Sequence, residues 1–300
     1  MNGPCHRLPR RAGVWAAALA LLAAGGALLA LPSARLATME TTLGLTRPLP
    51  RQERGDALAQ RLSFLTLGGL RALTAELLTA DATDAWLVQD WPRAQTRWRQ
   101  ITTLAPQRPN YWIRAARDMT RNAVAHAMGR RDLEPPAKAA LAEAYLESGE
   151  RFLLDGAANN PQNPLIYLEL GNMYENTARR PQFAKAAEAY SRALELGAPP
   201  MYRRWVFYNL ARIRGREREA LDLGLRLFED PAARTPSLRC LLFVLQNKLD
   251  IPRGQRLGVQ QLFGDERRAR RQLSSFLHND LRFPTTGVAA FLEEGQTGGI

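Results

Sequence analysis

A chain of 300 residues with 46% hydrophobic and 23% charged residues carries enough apolar material to bury a core, which excludes a solvated, disordered tail. The formal net charge is +12 and Lys138, Lys185 and Lys248 are the only lysines, so the basic excess is arginine. It is spread along the chain rather than clustered with aromatics on one face, as nucleic-acid binding requires.

The first elements in chain order are a tail and an apolar run. Arg7, Arg10 and Arg11 precede an uncharged stretch over 12–34. At 1.5 Å per helical residue that stretch crosses a hydrocarbon core, which takes about 20 apolar residues, and its Gly25–Gly26 pair is tolerated in such spans. In "LPSA", Pro32 stands where a small-x-small cleavage site wants a small residue, which favours an uncleaved anchor over a removed signal. The tight arginine cluster in a short tail (1–11) outweighs Arg35, Arg47 and Arg51 beyond the span, so the N-terminus is expected inside and the rest outside the cytoplasm. The acid-free, arginine-bearing start also fits organellar targeting. Cys5 lacks the Leu-x-x-Cys setting of a lipoprotein, and Arg10–Arg11 lacks the remainder of a twin-arginine pattern. Residues 35–61, rich in Thr, Pro and Arg towards their start, read as a linker.

From 62 to 250 a pattern recurs. Ala186, Tyr190, Ala193 and Pro199, then Trp205, repeat as Ala94, Trp98, Ile101, Pro106, Trp112 and as Gly149, Leu153, Gly156, Pro161, Tyr167. Ala220, Gly224, Leu227 and Pro231 make a looser copy. Steps of three and four keep each set on one helical face, and the proline ends the helix. A first helix precedes each set: Tyr167, Leu170, Gly171 and Tyr174 form a stripe that Trp112, Ala115, Ala116 and Met119 repeat and Phe207, Leu210 and Ala211 echo. Gly171 costs roughly 0.5–1 kcal/mol in a helix interior, which a close crossing of two antiparallel helices offsets. That crossing is expected at Gly171 and Ala186, between helices over 167–178 and 183–196.

This arrangement resembles the tetratricopeptide repeat (TPR) family, whose signature is an aromatic, Leu-Gly, Tyr, then small, aromatic, small and Pro. The resemblance runs from about Leu62 to Leu249, and the chain is also similar to membrane-anchored bacterial TPR proteins in its "LGGLRAL" segment, Leu67–Leu73. Pro106 and Pro161 stand 55 residues apart against a family period of about 34, so that unit has longer helices or an insertion near "GRRDLEPPAK". The third unit carries extra residues near "ARRPQ". The expected fold is all-α: a TPR-like α-solenoid of antiparallel helix pairs preceded by one transmembrane helix.

The resemblance implies a concave groove lined by first helices. The residue after each small crossing residue then faces that groove: Arg117, Asn172 and Arg212, with Ile113, Leu168 and Tyr208 a turn earlier. Two guanidiniums and an amide beside an apolar strip suit a protein or peptide segment bearing carboxylates. The lysine-rich clamp of chaperone-binding TPR domains is not reproduced.

Residues 236–249 read as a closing helix with Cys240 buried in it. Over 251–300 a helix follows in which Arg267, Arg268, Arg270 and Arg271 oppose Ala269, Leu273, Phe276 and Leu277. It reads either as a polar cap on the stack or as a helix lying on anionic lipid or an acidic partner. "GQTGGI" is a tail.

Chemistry is not expected. His6, His126 and His278 are isolated, and Cys5 and Cys240 lie too far apart in sequence to suggest a metal site. No metalloprotease, Cys-x-x-Cys, nucleophile-elbow or P-loop pattern occurs. The sequence thus points away from an enzyme and away from any cofactor, metal, nucleic acid or small-molecule substrate. It points to a membrane-anchored scaffold that binds or assembles a protein partner. The alternative is a permanent TPR subunit of a secretion, pilus or cytochrome-maturation complex.

Overall fold

A computed structural model of the chain describes residues 54–176, 181–278 and 282–294, and of 54–70 the backbone alone. Every regular element among the described residues is helical. The apolar run at 12–34 lies outside them, and no described helix is long and apolar enough to cross a membrane. Two compact units divide at Ala105–Pro106.

The first unit holds α1 (Arg54–Leu87) packed on α2 (Trp91–Leu104). The linker expected over 35–61 therefore ends earlier, since 54–61 is helical. "RGDALAQR" explains this, being mostly good helix formers without proline. Gln89 turns the chain at φ +59°, and the Asp90 carboxylate accepts the Arg93 N–H at 3.1 Å to start α2. Ala82 and Ala85 meet an α2 face of Ala94, Trp98 and Ile101, all with no exposed surface. Arg93 and Arg97 both pair with Asp81 across the hairpin.

The second unit continues the alternation. α3 (Pro109–Arg117) runs through a π-helical segment, Asp118–Ala123, into α4 (Val124–Gly129), and packs on α5 (Pro135–Asn159). α6 (Pro164–Glu175) packs on α7 (Phe183–Glu195), and α8 (Arg203–Leu210) on α9 (Glu217–Glu229). Proline occupies the first turn of α3, α5 and α6, where its missing N–H has no helical partner to lose. From α4 to α9 each helix touches the next in sequence, and α3 also touches α6. The 55-residue interval is thus filled by longer helices, one of them carrying the π segment.

Four glycines admit side chains from a neighbouring helix, among them Gly224, where a Cβ would lie 2.6 Å from the Phe207 ring. A Cβ at Gly156 would lie 2.8 Å from Trp112 Cβ, one at Gly149 would lie 2.2 Å from Thr120 Cγ2, and one at Gly171 would lie 2.7 Å from the Tyr190 ring. The space left over Gly171 is filled by the Tyr190 ring, and Ala186, one turn before Tyr190 on the facing helix, has no exposed surface. α6 ends at Glu175, short of the expected 178, and the turn closes through Gln182 N–H donating to Tyr174 O at 2.8 Å. The extra residues of "ARRPQ" lie mostly outside the described residues.

Two of the aromatics that follow these prolines have a second task. Trp112 Nε1 donates to Pro106 O at 2.8 Å, and Tyr167 Oη reaches Pro161 O at 3.5 Å. Asn160 Nδ2 also donates to Pro106 O at 2.9 Å. At Pro106 and Pro161 the proline–aromatic spacing is thus a hydrogen-bonded corner.

Beyond α9, α10 (Pro236–Lys248) is buried on several sides through Leu238, Leu241, Leu242 and Leu245. It is followed by α11 (Val259–Phe263), α12 (Glu266–Leu277) and α13 (Val288–Glu294), the last not foreseen in the sequence. Arg270 departs from the exposed face expected of it. Its Nη1 donates to Phe291 O and Leu292 O at 3.1 and 3.0 Å, closing α13 onto α12.

Candidate functional site

The side of the second unit formed by α3, the π segment, α6 and α8 carries the six residues singled out in the sequence. Helix periodicity brings Arg117 and Arg121, one turn apart, opposite Glu169. Arg117 Nη2 donates to Glu169 Oε2 at 2.8 Å and Arg121 Nη2 to Oε1 at 3.0 Å. Glu169 is only 5% exposed, so two guanidiniums at the surface neutralise one buried carboxylate. The bond to Glu169 holds the Arg117 guanidinium above its ordinary pKa. Arg117 is therefore engaged before any ligand arrives.

Asn172 accepts a hydrogen bond from Tyr190 Oη at 2.8 Å. Burial is the main cause that pushes the Tyr190 phenol far above its ordinary range, so it stays a donor. Next along the same side, Asn209 Nδ2 donates to Glu175 Oε2 at 2.9 Å and to Trp205 O. Asn209 is wholly buried, and its Oδ1 has no partner.

Between these groups lies a cleft of about 210 Å³ lined by Thr120, Arg121, Leu153, Glu169, Asn172, Met173 and Asn176. Gly149 makes it possible by letting Thr120 of the π segment press against α5. π segments are rare and mark places where a helix widens to serve a site.

Ile113 and Leu168 are buried, with 7% and 6% of their surface exposed. They support the helices from within and do not form an exposed apolar strip. At the far end Tyr208 Oη shares a 2.8 Å hydrogen bond with Thr235 Oγ1. Arg212 lies between two rings, its guanidinium carbon 4.8 Å from the Phe183 centroid and 3.7 Å from that of Phe283. Burial lowers its pKa to about 10, which leaves it charged at neutral pH. Phe283 also stacks on Phe276 and meets Tyr208 edge-on. Arg282, at φ +52°, turns the chain just before Phe283. The Tyr208–Arg212 end is thus covered by the chain's own C-terminal return.

Asn172 joins the cleft directly, while Arg117 enters only through Glu169 and Tyr208 and Arg212 stand apart beneath Phe283. Glu169, Arg121 and Asn176 were missed, although each lies three or four residues from a named position on the same helical face. Helical spacing alone could have found them. Phe283 had no such signal, since no periodic pattern contains it.

A comparison with known protein families matches no family model, and a comparison with curated proteins matches none.

Proposed function

We propose that this chain is a TPR-like scaffold, held at a bacterial membrane by a single N-terminal span over 12–34, whose first-helix side binds a segment of a partner protein outside the cytoplasm. The observation that carries the reading is the cleft beside the π segment. Asn172 and Asn176 are carboxamides, which donate and accept as a peptide backbone does. Arg121 keeps more than half of its side chain exposed and offers a guanidinium for a partner's carboxylate. Met173 and Leu153 provide an apolar floor, methionine being able to adapt to varied shapes. The occupied Tyr208–Arg212 end limits the open groove to the part between the π segment and α6. Neither a cofactor nor a small-molecule substrate enters this reading.

A photo-crosslinking residue placed at Asn176 or Arg121 in the full chain tests it in intact cells. Discrete adducts are expected from these two positions, and none from Asp222, exposed on α9. Equal adducts from Asp222, or none from either cleft position, would remove the cleft from the function.

A further inference from the structure

In the register of the repeats Asn172 and Arg212 hold the same place, yet their surroundings differ. Asn172 lines the open cleft beside the π segment, whereas Arg212 is covered by Phe283. The Phe283 centroid lies 3.7 Å from the Arg212 guanidinium carbon, 5.5 Å from the Phe276 centroid in a stacked pair, and 6.0 Å from that of Tyr208 edge-on. A guanidinium over a ring face, and stacked or edge-on rings, are the arrangements that aromatic side chains favour. Residues 282–286 belong to no helix, and Pro284 follows the ring, which biases Phe283 towards extended backbone. The first-helix side thus already holds a non-helical segment in which an aromatic precedes a proline.

Phe283 is not what fastens this segment. On one side Leu273 of α12 has no exposed surface, and on the other Val288 of α13 has none. Arg270 ties the end of α13 to α12 through Phe291 O and Leu292 O, and the Phe291 ring meets Phe243 of α10 edge-on at 5.4 Å. Gly287, at φ +79°, lies so close to α10 that a Cβ would stand 2.9 Å from Asn247 Cγ. Phe283 itself is half-buried. Arg282 before it is exposed and sits at φ +52°, a conformation that costs free energy for a residue with a side chain. Withdrawal of the ring would leave α12 and α13 packed and would release Arg282 from that conformation.

We infer that Phe283 is an intramolecular stand-in for the partner: the position made by Tyr208, Arg212 and Phe276 binds an aromatic side chain, followed by proline, of a partner's non-helical segment, which must displace Phe283 to reach it. The inference rests on the scaffold reading above and names the partner's chemistry. Arg212 does the selecting. Its guanidinium lies between Phe183 and the incoming ring, and it is attracted to a ring face where an aliphatic side chain of similar bulk offers no such charge distribution. The resting contact makes the site self-limiting, because a segment in trans binds only the fraction of molecules from which Phe283 has withdrawn.

The test titrates the purified full chain with two labelled synthetic peptides, one copying residues 281–287 and one with alanine in place of its phenylalanine, and reads fluorescence anisotropy. The first peptide is expected to bind Phe283→Ala at least tenfold more tightly than wild type. Exchanging its phenylalanine for alanine should weaken that binding at least tenfold, and so should adding Arg212→Gln to the Phe283→Ala chain. Hydrogen exchange in α12 and α13 should stay as slow in Phe283→Ala as in wild type. Should Phe283→Ala fail to fold, Phe283→Leu, which keeps apolar bulk but no ring, carries the same titration. Faster exchange throughout α12 and α13, or no peptide binding to the variant, would make Phe283 part of the packing of the C-terminal end and overturn the inference. Capture of a wild-type chain by Phe283→Ala in preference to the peptide would assign the position to a second copy and overturn it as well. Photo-adducts from Arg121 and Asn176 in cells beside either failure would leave the scaffold reading standing, whereas peptide binding without those adducts would remove the cleft and keep this position.

Discussion

Gly171 shows what one missing methyl group decides. A Cβ there would stand 2.7 Å from the Tyr190 ring, nearer than side chains approach without something shifting. The ring cannot yield easily. It has no exposed surface, it stacks on Tyr202 at 6.2 Å between centroids, and its hydroxyl is tied to Asn172. Alanine at 171 would gain about 1 kcal/mol of helix propensity, but overpacking a filled core costs about 1–3 kcal/mol. Gly171→Ala is therefore expected to destabilise the chain despite its better propensity, and Gly171→Leu to do so by more. Chemical denaturation of the two variants measures this, and a more stable alanine variant would mean that the ring has room to move. Sequence spacing alone made Gly171 legible as a close-packing position. It placed Tyr190 at the flank of that crossing but not over Gly171 itself, because a stripe gives the facing side of a helix and not the depth to which a ring inserts.

At the scale of elements, the register of helix pairs was legible because prolines bound it and small residues mark its crossings. Ala94, Trp98 and Ile101, and again Ala186, Tyr190 and Ala193, are fully buried where their spacing placed them. The junction between α3 and α6 was less legible, since it depends on a buried glutamate on one helix and two arginines on another. Glu169 is held by Arg117 and by Arg121, each half exposed, so either arginine alone leaves it paired. Arg117→Ala and Arg121→Ala should thus each cost less than about 1 kcal/mol, as exposed pairs do. Together they leave a buried carboxylate without a counter-charge, which is disproportionately costly. A double-mutant cycle is expected to give a combined loss greater than the sum of the single losses. Simple additivity would show that water reaches Glu169 and replaces the guanidiniums. The same cycle bears on partner binding, because Arg121 lines the cleft and Arg117 holds the shared carboxylate.

For the whole molecule, periodicity reaches as far as the repeated pairs and fails beyond them. α13 and the return through Phe283 sit where they do because aromatic rings and guanidiniums meet, as in Arg212 between Phe183 and Phe283 and Arg270 on the end of α13. Such contacts join residues far apart in sequence and leave no local pattern. The apolar run over 12–34 is the reverse case, a strong local signal with no tertiary context among the described residues. Its length suits a span, and the cluster of Arg7, Arg10 and Arg11 on a short tail favours retention of that end in the cytoplasm. The proposed scaffold then works outside the cytoplasm, and the orientation can be read without knowing any partner. An alkaline phosphatase fused after Ala105, where the first compact unit ends, should be active, and a reporter that needs the cytoplasm should be silent at the same point. Replacing Arg7, Arg10 and Arg11 with glutamine should weaken or invert this pattern, since Arg35, Arg47 and Arg51 would then carry the flanking charge. A silent phosphatase beside an active cytoplasmic reporter in the unaltered chain would place both units inside and remove the extracytoplasmic partner from the proposal.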